Sequence, residues 1–189
     1  MGSERATIVD DGRLPGGVFE SGVDGEGVPC REVLLVEEGI FRQPLLAWRD
    51  AGAAGYAGVG AASGCSRRPS WRDLPAAGPT HLYLKPEPRV SVAALVGAVR
   101  RGAYALDVAS SAGLAIDLET GRFALPVCGF RLEAGRATSP LNGVALTGDV
   151  QTLLRGIAGV GRDLAFQMLD GMIGSPTLLV SGLEIQRGA

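Results

Sequence analysis

Residues 114–147 read LAIDLETGRFALPVCGFRLEAGRATSPLNGVALT. Short apolar stretches are cut by two X-Gly pairs, Thr120-Gly121 and Ala134-Gly135. An X-Gly pair between β-prone runs is a hairpin signal. The stretch therefore predicts a strand at Leu114–Asp117 turning into Arg122–Cys128. A second strand at Phe130–Glu133 turns into Arg136–Thr138, and Asn142–Thr147 is a further strand. Chain that folds back on itself this often makes antiparallel sheet.

Working outward, Ser91 is placed to cap a helix in which Val92, Leu95, Val96 and Val99 share one face. Gly102, after Arg100-Arg101, reads as its stop. Downstream, Asp149 can cap a second helix with Val150, Leu153, Leu154 and Ile157 on one face, and Thr177–Val180 and Leu183–Ile185 close the chain as strand. Upstream, Ala6–Val9, Glu32–Glu37 and Thr80–Leu84 read as strands. Glu38-Gly39 turns the second of these back toward Ile40-Phe41. Pro44–Ala54 can hold a short helix, and Gly55–Ser66 reads as irregular. The fold expected is mainly β (α+β): antiparallel sheets in a barrel- or sandwich-like arrangement with two amphipathic helices. No linker is visible, so residues 1–189 are read as one domain.

Composition agrees. Glycine supplies 29 of the 189 residues, about twice the usual share of about 7%. Without a G-X-Y period, and with 46% hydrophobic residues, the chain is neither collagen nor disordered. Net charge is −2, which does not suggest a nucleic-acid binder. Charge is uneven, however. Acids outnumber bases over residues 1–50, while over 51–101 the acids are only Asp73 and Glu87. The basic middle can pair with the acidic first segment or meet a carboxylate or phosphate. Three cysteines without a C-x-x-C pair fit a reduced cytoplasmic setting. No signal peptide or membrane span is read in the sequence.

His81 is the single histidine, which excludes a histidine-rich metal site built from this chain alone. Asp10, Asp11, Asp24 and Glu26 lie close together but lack the order of a calcium loop, so they read as turn-forming acids. Cys65 lies in Ser63-Gly64-Cys65-Ser66 before Arg67-Arg68. Adjacent arginines favour a thiolate, and His81 completes a Cys/His pair on paper; the plainer reading is an incidental cysteine. The two arginines can fork onto a carboxylate or phosphate, or serve as paired surface charges. The glycine runs Gly55-x-x-Gly58-x-Gly60 and Gly156-x-x-Gly159-x-Gly161 run opposite to a dinucleotide fingerprint. Ser111 lacks the first glycine of a nucleophile elbow and reads as turn.

Read in order, several segments resemble the C-terminal half of the TldD/PmbA (TldE) family of metallopeptidase-related proteins. Val9-Asp10-Asp11-Gly12 followed by Asp24-Gly25-Glu26-Gly27-Val28-Pro29 is similar to the family's V-D-D-G…D-x-E-G-x-P. Leu34–Ile40 is similar to its L-I-E-x-G-x-L hairpin, Ser63–Arg68 to its G-x-x-R-R loop, and Thr80–Leu84 to its T-N-T-Y-L strand. Thr120–Phe123, Val160–Leu164 and Gly174–Val180 resemble T-G-x-F, V-G-N-D-L and G-x-P-T-L. Together these span residues 6–186.

The resemblance implies two zinc-binding elements in active members. One is an H-E-x-x-x-H helix just before V-D-D-G. The other is a cysteine in a C-G-x-x-G-Q loop between V-G-N-D-L and G-x-P-T. Here the chain is expected to begin past the first, and Ala165–Ile173, in place of the second, holds no cysteine. The implied protein is a TldE-like, non-catalytic subunit or detached C-terminal domain without its own metal. Zinc is implied on a partner, a TldD-like chain carrying H-E-x-x-x-H, with a small or unfolded peptide as substrate. Arg67, Arg68, His81 and Tyr83 become the expected contacts to substrate or partner. The alternatives are an independent enzyme using Cys65 with His81 and a structural homo-oligomer.

Overall fold

A computed structural model describes residues 2–52, 62–108 and 115–187 of the chain. The Gly55/Gly58/Gly60 run, Ser111 and Leu114 lie outside the described residues, as does most of the stretch expected to be irregular. The chain forms two compact units. One takes Ala6–Lys85 and Leu164–Pro176; the other takes Met1–Arg5, Pro86–Asp163 and Thr177–Ala189.

The first unit opens with β1 (Ile8–Asp11), followed by β2 (Glu32–Glu37) and β3 (Ile40–Phe41). The β2–β3 hairpin turns through Glu38 and Gly39, both with positive φ, the mirror-image turn that matches strand twist. Next come the single-turn helix α1 (Trp48–Ala51), the short pair β4 (Ser66–Arg67) and β5 (Ala76–Ala77), and β6 (His81–Leu84). Val9 and Val33 are fully buried where β1 meets β2.

The chain then enters the second unit with α2 (Val92–Gly97), whose Ser91 hydroxyl accepts the Ala94 N–H, as expected of a cap. Gly102 does not stop this helix. The helix ends at Gly97, and Gly102 lies inside β7 (Arg101–Val108), a strand the sequence did not announce. After β8 (Ala115–Ile116), the two expected strands on either side of Gly129 are one, β9 (Arg122–Glu133). Gly129 marks a close approach rather than a break, because a Cβ there would run into the Tyr104 carbonyl of β7. Arg136–Thr138 and Asn142–Thr147 likewise merge into β10 (Arg136–Asp149), whose pairing with β9 shifts register twice. Pro140 is tolerated in β10 because the strand on its other flank pairs only over Val144–Thr147. Asp149 caps α3 (Val150–Gly156) through the Thr152 N–H, and Ile157 begins β11 (Ile157–Val160) rather than continuing the helix.

The chain returns to the first unit for the hairpin β12 (Ala165–Leu169) and β13 (Gly171–Ser175), then ends in the second with β14 (Leu178–Val180) and β15 (Glu184–Arg187). The first unit's sheet runs β12-β13-β6-β1-β2-β3, antiparallel except for the β13–β6 pair. The second unit's main sheet runs β15-β10-β9-β7, with β8 also on β9, all antiparallel. The mainly β, antiparallel expectation holds. Neither sheet closes into a barrel among the described residues, and the three helices there are the short one expected within Pro44–Ala54 and the two amphipathic ones. No helix among them is long and apolar enough to cross a membrane.

Candidate functional site

The acidic segment at the start of the chain is spent on internal bonds. Asp24 Oδ1 accepts the N–H groups of Glu26 and Val28, closing a tight loop. Its Oδ2 accepts the Ser66 N–H at 3.0 Å, and the Gly25 N–H bonds the Ser66 carbonyl at 2.7 Å. Glu26 accepts the Ser66 hydroxyl at 2.6 Å and the Trp48 N–H at 2.7 Å, so it caps α1 from a distant loop. Asp11 accepts the Arg13 N–H in a local turn. Asp10, 1% exposed, receives both the N–H and the hydroxyl of Thr80, at 2.7 and 2.8 Å. Burial raises its pKa above 3.8, against the lowering effect of those bonds and of His81. Asp11 thus acts as the turn-former expected, Asp24 both closes its own turn and holds Ser66, and Asp10 and Glu26 tie distant segments together.

His81 is as buried as Asp10. Its Nδ1 lies 2.8 Å from the Asp11 carbonyl, and its Nε2 receives the Phe19 N–H at 3.3 Å. A carbonyl can only accept and an amide N–H can only donate, which fixes the tautomer with hydrogen on Nδ1. Gly17 lies against the ring so closely that a Cβ would collide with it. Phe19 and Phe166 flank the same ring at 6.0 and 6.3 Å between centroids. The lone histidine therefore pins the loop through Phe19 to the sheet.

In front of that loop opens a cavity of about 610 Å³, lined by Phe19, Cys65, Arg67, Arg68, Ala77 and Asp170 among others. The braces from Asp24 and Glu26 hold its Cys65–Arg67 wall in place. Arg67 stacks its guanidinium 4.7 Å from the centre of the Phe19 ring and donates through Nη2 to Asp170 at 3.1 Å. Its Nε is buried without an acceptor. Arg68 donates to the Gly25 carbonyl at 3.3 Å. Cys65 is 1% exposed, and burial pushes its thiol up to about 11, outweighing the Gly78 and Ser63 contacts that favour the thiolate. The neighbouring arginines do not reverse this.

Of the residues singled out from sequence, Cys65, Arg67 and Arg68 share this wall, while His81 and Tyr83 are not among its lining. Tyr83 packs edge-on against Phe166 at 5.5 Å, and burial raises its pKa. No hydrogen bond joins Cys65 to His81, whose two nitrogens are committed elsewhere. Sequence reasoning missed Phe19 and Asp170. The first lies in a loop without pattern, and the second reaches Arg67 from the turn between β12 and β13.

The zinc that the resemblance implies does not fit this donor set. A zinc-binding imidazole offers a free nitrogen lone pair, and here the Nε2 lone pair takes the Phe19 N–H. Among the described residues, no three His, Cys, Asp or Glu side chains gather as a metal needs.

The family model described as the PmbA/TldA metallopeptidase C-terminal domain matches residues 1–187. A protein named Metalloprotease TldD homolog, from Buchnera aphidicola subsp. Schizaphis graminum, is 27% identical over 175 residues, 92% of this chain and 35% of that protein. A protein named Metalloprotease, from Methanothermobacter thermautotrophicus, is 32% identical over 165 residues, 86% of this chain and 34% of that one. The chain thus spans about a third of the length of these curated relatives. The crystal structure of TldE from Thermococcus kodakarensis superposes with a TM-score of 0.83 at 21% identity, covering 98% of this chain and 40% of that one. That likeness is one of fold.

Proposed function

Because the chain belongs to the PmbA/TldA metallopeptidase C-terminal domain family, we propose that it is a TldE-like module that supplies no metal ligand and pairs with a metal-bearing TldD-like chain. Together the two process small or unfolded peptides in the cytoplasm, with zinc on the partner. The observation that carries this reading is the β12–β13 hairpin. Ala165–Leu169 pairs residue for residue with Gly171–Ser175 around Asp170. A tight turn thus stands where the resemblance places a cysteine-bearing zinc loop. The sole histidine, engaged at both nitrogens, points the same way.

The test is coexpression with a TldD-like chain carrying H-E-x-x-x-H. The two are expected to copurify as a complex that cleaves unfolded peptides, while this chain alone does not. A partner that works equally well without this chain, or never binds it, overturns the reading.

The alternative of a Cys65/His81 enzyme has no contact between the two side chains to support it. Self-association into a homo-oligomer has one observation in its favour, the exposure of Trp71 (81%) and Leu74 (74%). Light scattering of the purified chain separates that reading from a monomer awaiting its partner.

A further inference from the structure

Arg67 is held in place with most of its hydrogen-bonding capacity unspent. Phe19 fixes the plane of its guanidinium, and β4 fixes the stem. Its side chain is 26% exposed, and its only hydrogen-bond acceptor among the described residues is Asp170, which is 98% exposed. Ion pairs with so exposed a partner contribute little to stability. Asp170 is therefore a replaceable counter-ion. A guanidinium clamped on an aromatic face is pre-organised for a planar carboxylate, which it can grip with two parallel bonds.

The rest of the wall narrows the ligand. Asp24 has its carboxylate filled by three backbone N–H groups, and Glu20 takes the Gly16 N–H at 2.9 Å. With Asp170, these acids offset Arg67 and Arg68, so a singly charged anion suits the cavity better than a doubly charged phosphate. Phe19, Val23, Pro69, Ala76 and Ala77 supply apolar surface, and a volume of about 610 Å³ falls within the range of small-ligand pockets.

We propose that this cavity seats the C-terminal carboxylate of a short peptide, with Arg67 as the group that binds it and Asp170 as the internal anion it displaces. That the ligand is a peptide rests on the function proposed above; the carboxylate seat rests on the cavity alone.

Titration calorimetry of the purified chain tests it with acetyl-Ala-Phe as free acid and as amide. The acid is expected to bind at least about tenfold more tightly than the amide, roughly the loss of one charge-assisted contact. Arg67→Ala should abolish the preference and Arg67→Lys should weaken it, with circular dichroism confirming that both fold. Asp170→Asn, at an exposed turn position where asparagine is as well tolerated as aspartate, should tighten acid binding several-fold by removing the competitor. A merely structural ion pair would leave acid affinity unmoved in that variant. The proposal is overturned if acid and amide bind alike, if the acid does not bind at millimolar concentration, if Asp170→Asn changes nothing, or if inorganic phosphate competes more strongly than the acid. Complex formation with a TldD-like chain is measured separately. Should it persist while the acid preference fails, only the carboxylate seat is lost.

Discussion

The contact between Gly17 and the His81 ring is the sharpest packing constraint near the cavity. A methyl group at position 17 collides with the ring, and the ring cannot retreat without releasing Asp11 or Phe19. Gly17→Ala should therefore cost about 2 kcal/mol, as overpacking does, read as a lower urea midpoint. An unchanged midpoint would mean that the loop yields freely. Cys65 supports a second expectation. With its thiol pushed up to about 11 and its surface buried, iodoacetamide at pH 8 should label half-buried Cys128 well before Cys65. Peptide mass spectrometry reads the order, and equal labelling would restore Cys65 as a candidate nucleophile. The sequence made Arg67 and Arg68 visible because paired charges stand out in a glycine-rich stretch. It hid Phe19 and Asp170 because nothing local distinguishes a phenylalanine that supports a guanidinium, or an aspartate delivered from the turn of a distant hairpin.

Local rules read some elements well and long-range pairing decided others. The Ser91 and Asp149 caps, the β2 boundaries and the Glu38-Gly39 and Ala134-Gly135 turns all rest on neighbours within a few residues. They were legible for that reason. β7 was not, because its pairing with β9 is set by residues far along the chain. The same holds for β13, whose parallel partner is β6. Gly129 read as a break because a close backbone approach and a turn use the same residue. The α2 cap gives a prediction at this scale. Ser91→Ala removes the acceptor for the Ala94 N–H at 3.2 Å and should cost about 1 kcal/mol, measured by urea unfolding. A loss indistinguishable from zero would show that burial of Leu95 alone sets the start of the helix.

Across the molecule, aspartates paired to a single threonine recur, and their pKa shifts differ in sign between the two units. Asp117, Asp149 and Asp163, all in the unit built from Pro86–Asp163, Thr177–Ala189 and the first residues, each accept a threonine's N–H and its hydroxyl. Those bonds hold all three below 3.8. Asp10, in the Ala6–Lys85 unit, makes the same pair with Thr80, yet burial outweighs the bonds and raises it. A lowered pKa means the unfolded chain binds the proton first on acidification, so the stability it gives is present above 3.8 and lost as pH falls through the folded value. A raised pKa reverses this: the folded state binds the proton first, and the contribution of Asp10 declines as pH rises from 3.8 through its folded value. As pH falls below 3.8, the three aspartates stop supporting their unit, while Asp10 no longer opposes its own. Hydrogen exchange, corrected for intrinsic rates, should show amides of Pro86–Asp163 losing protection before those of Ala6–Lys85. In Asp10→Asn, the stability deficit relative to the parent should be larger at pH 4 than at pH 7. Simultaneous loss of protection, or earlier loss in Ala6–Lys85, would show that other groups govern acid stability.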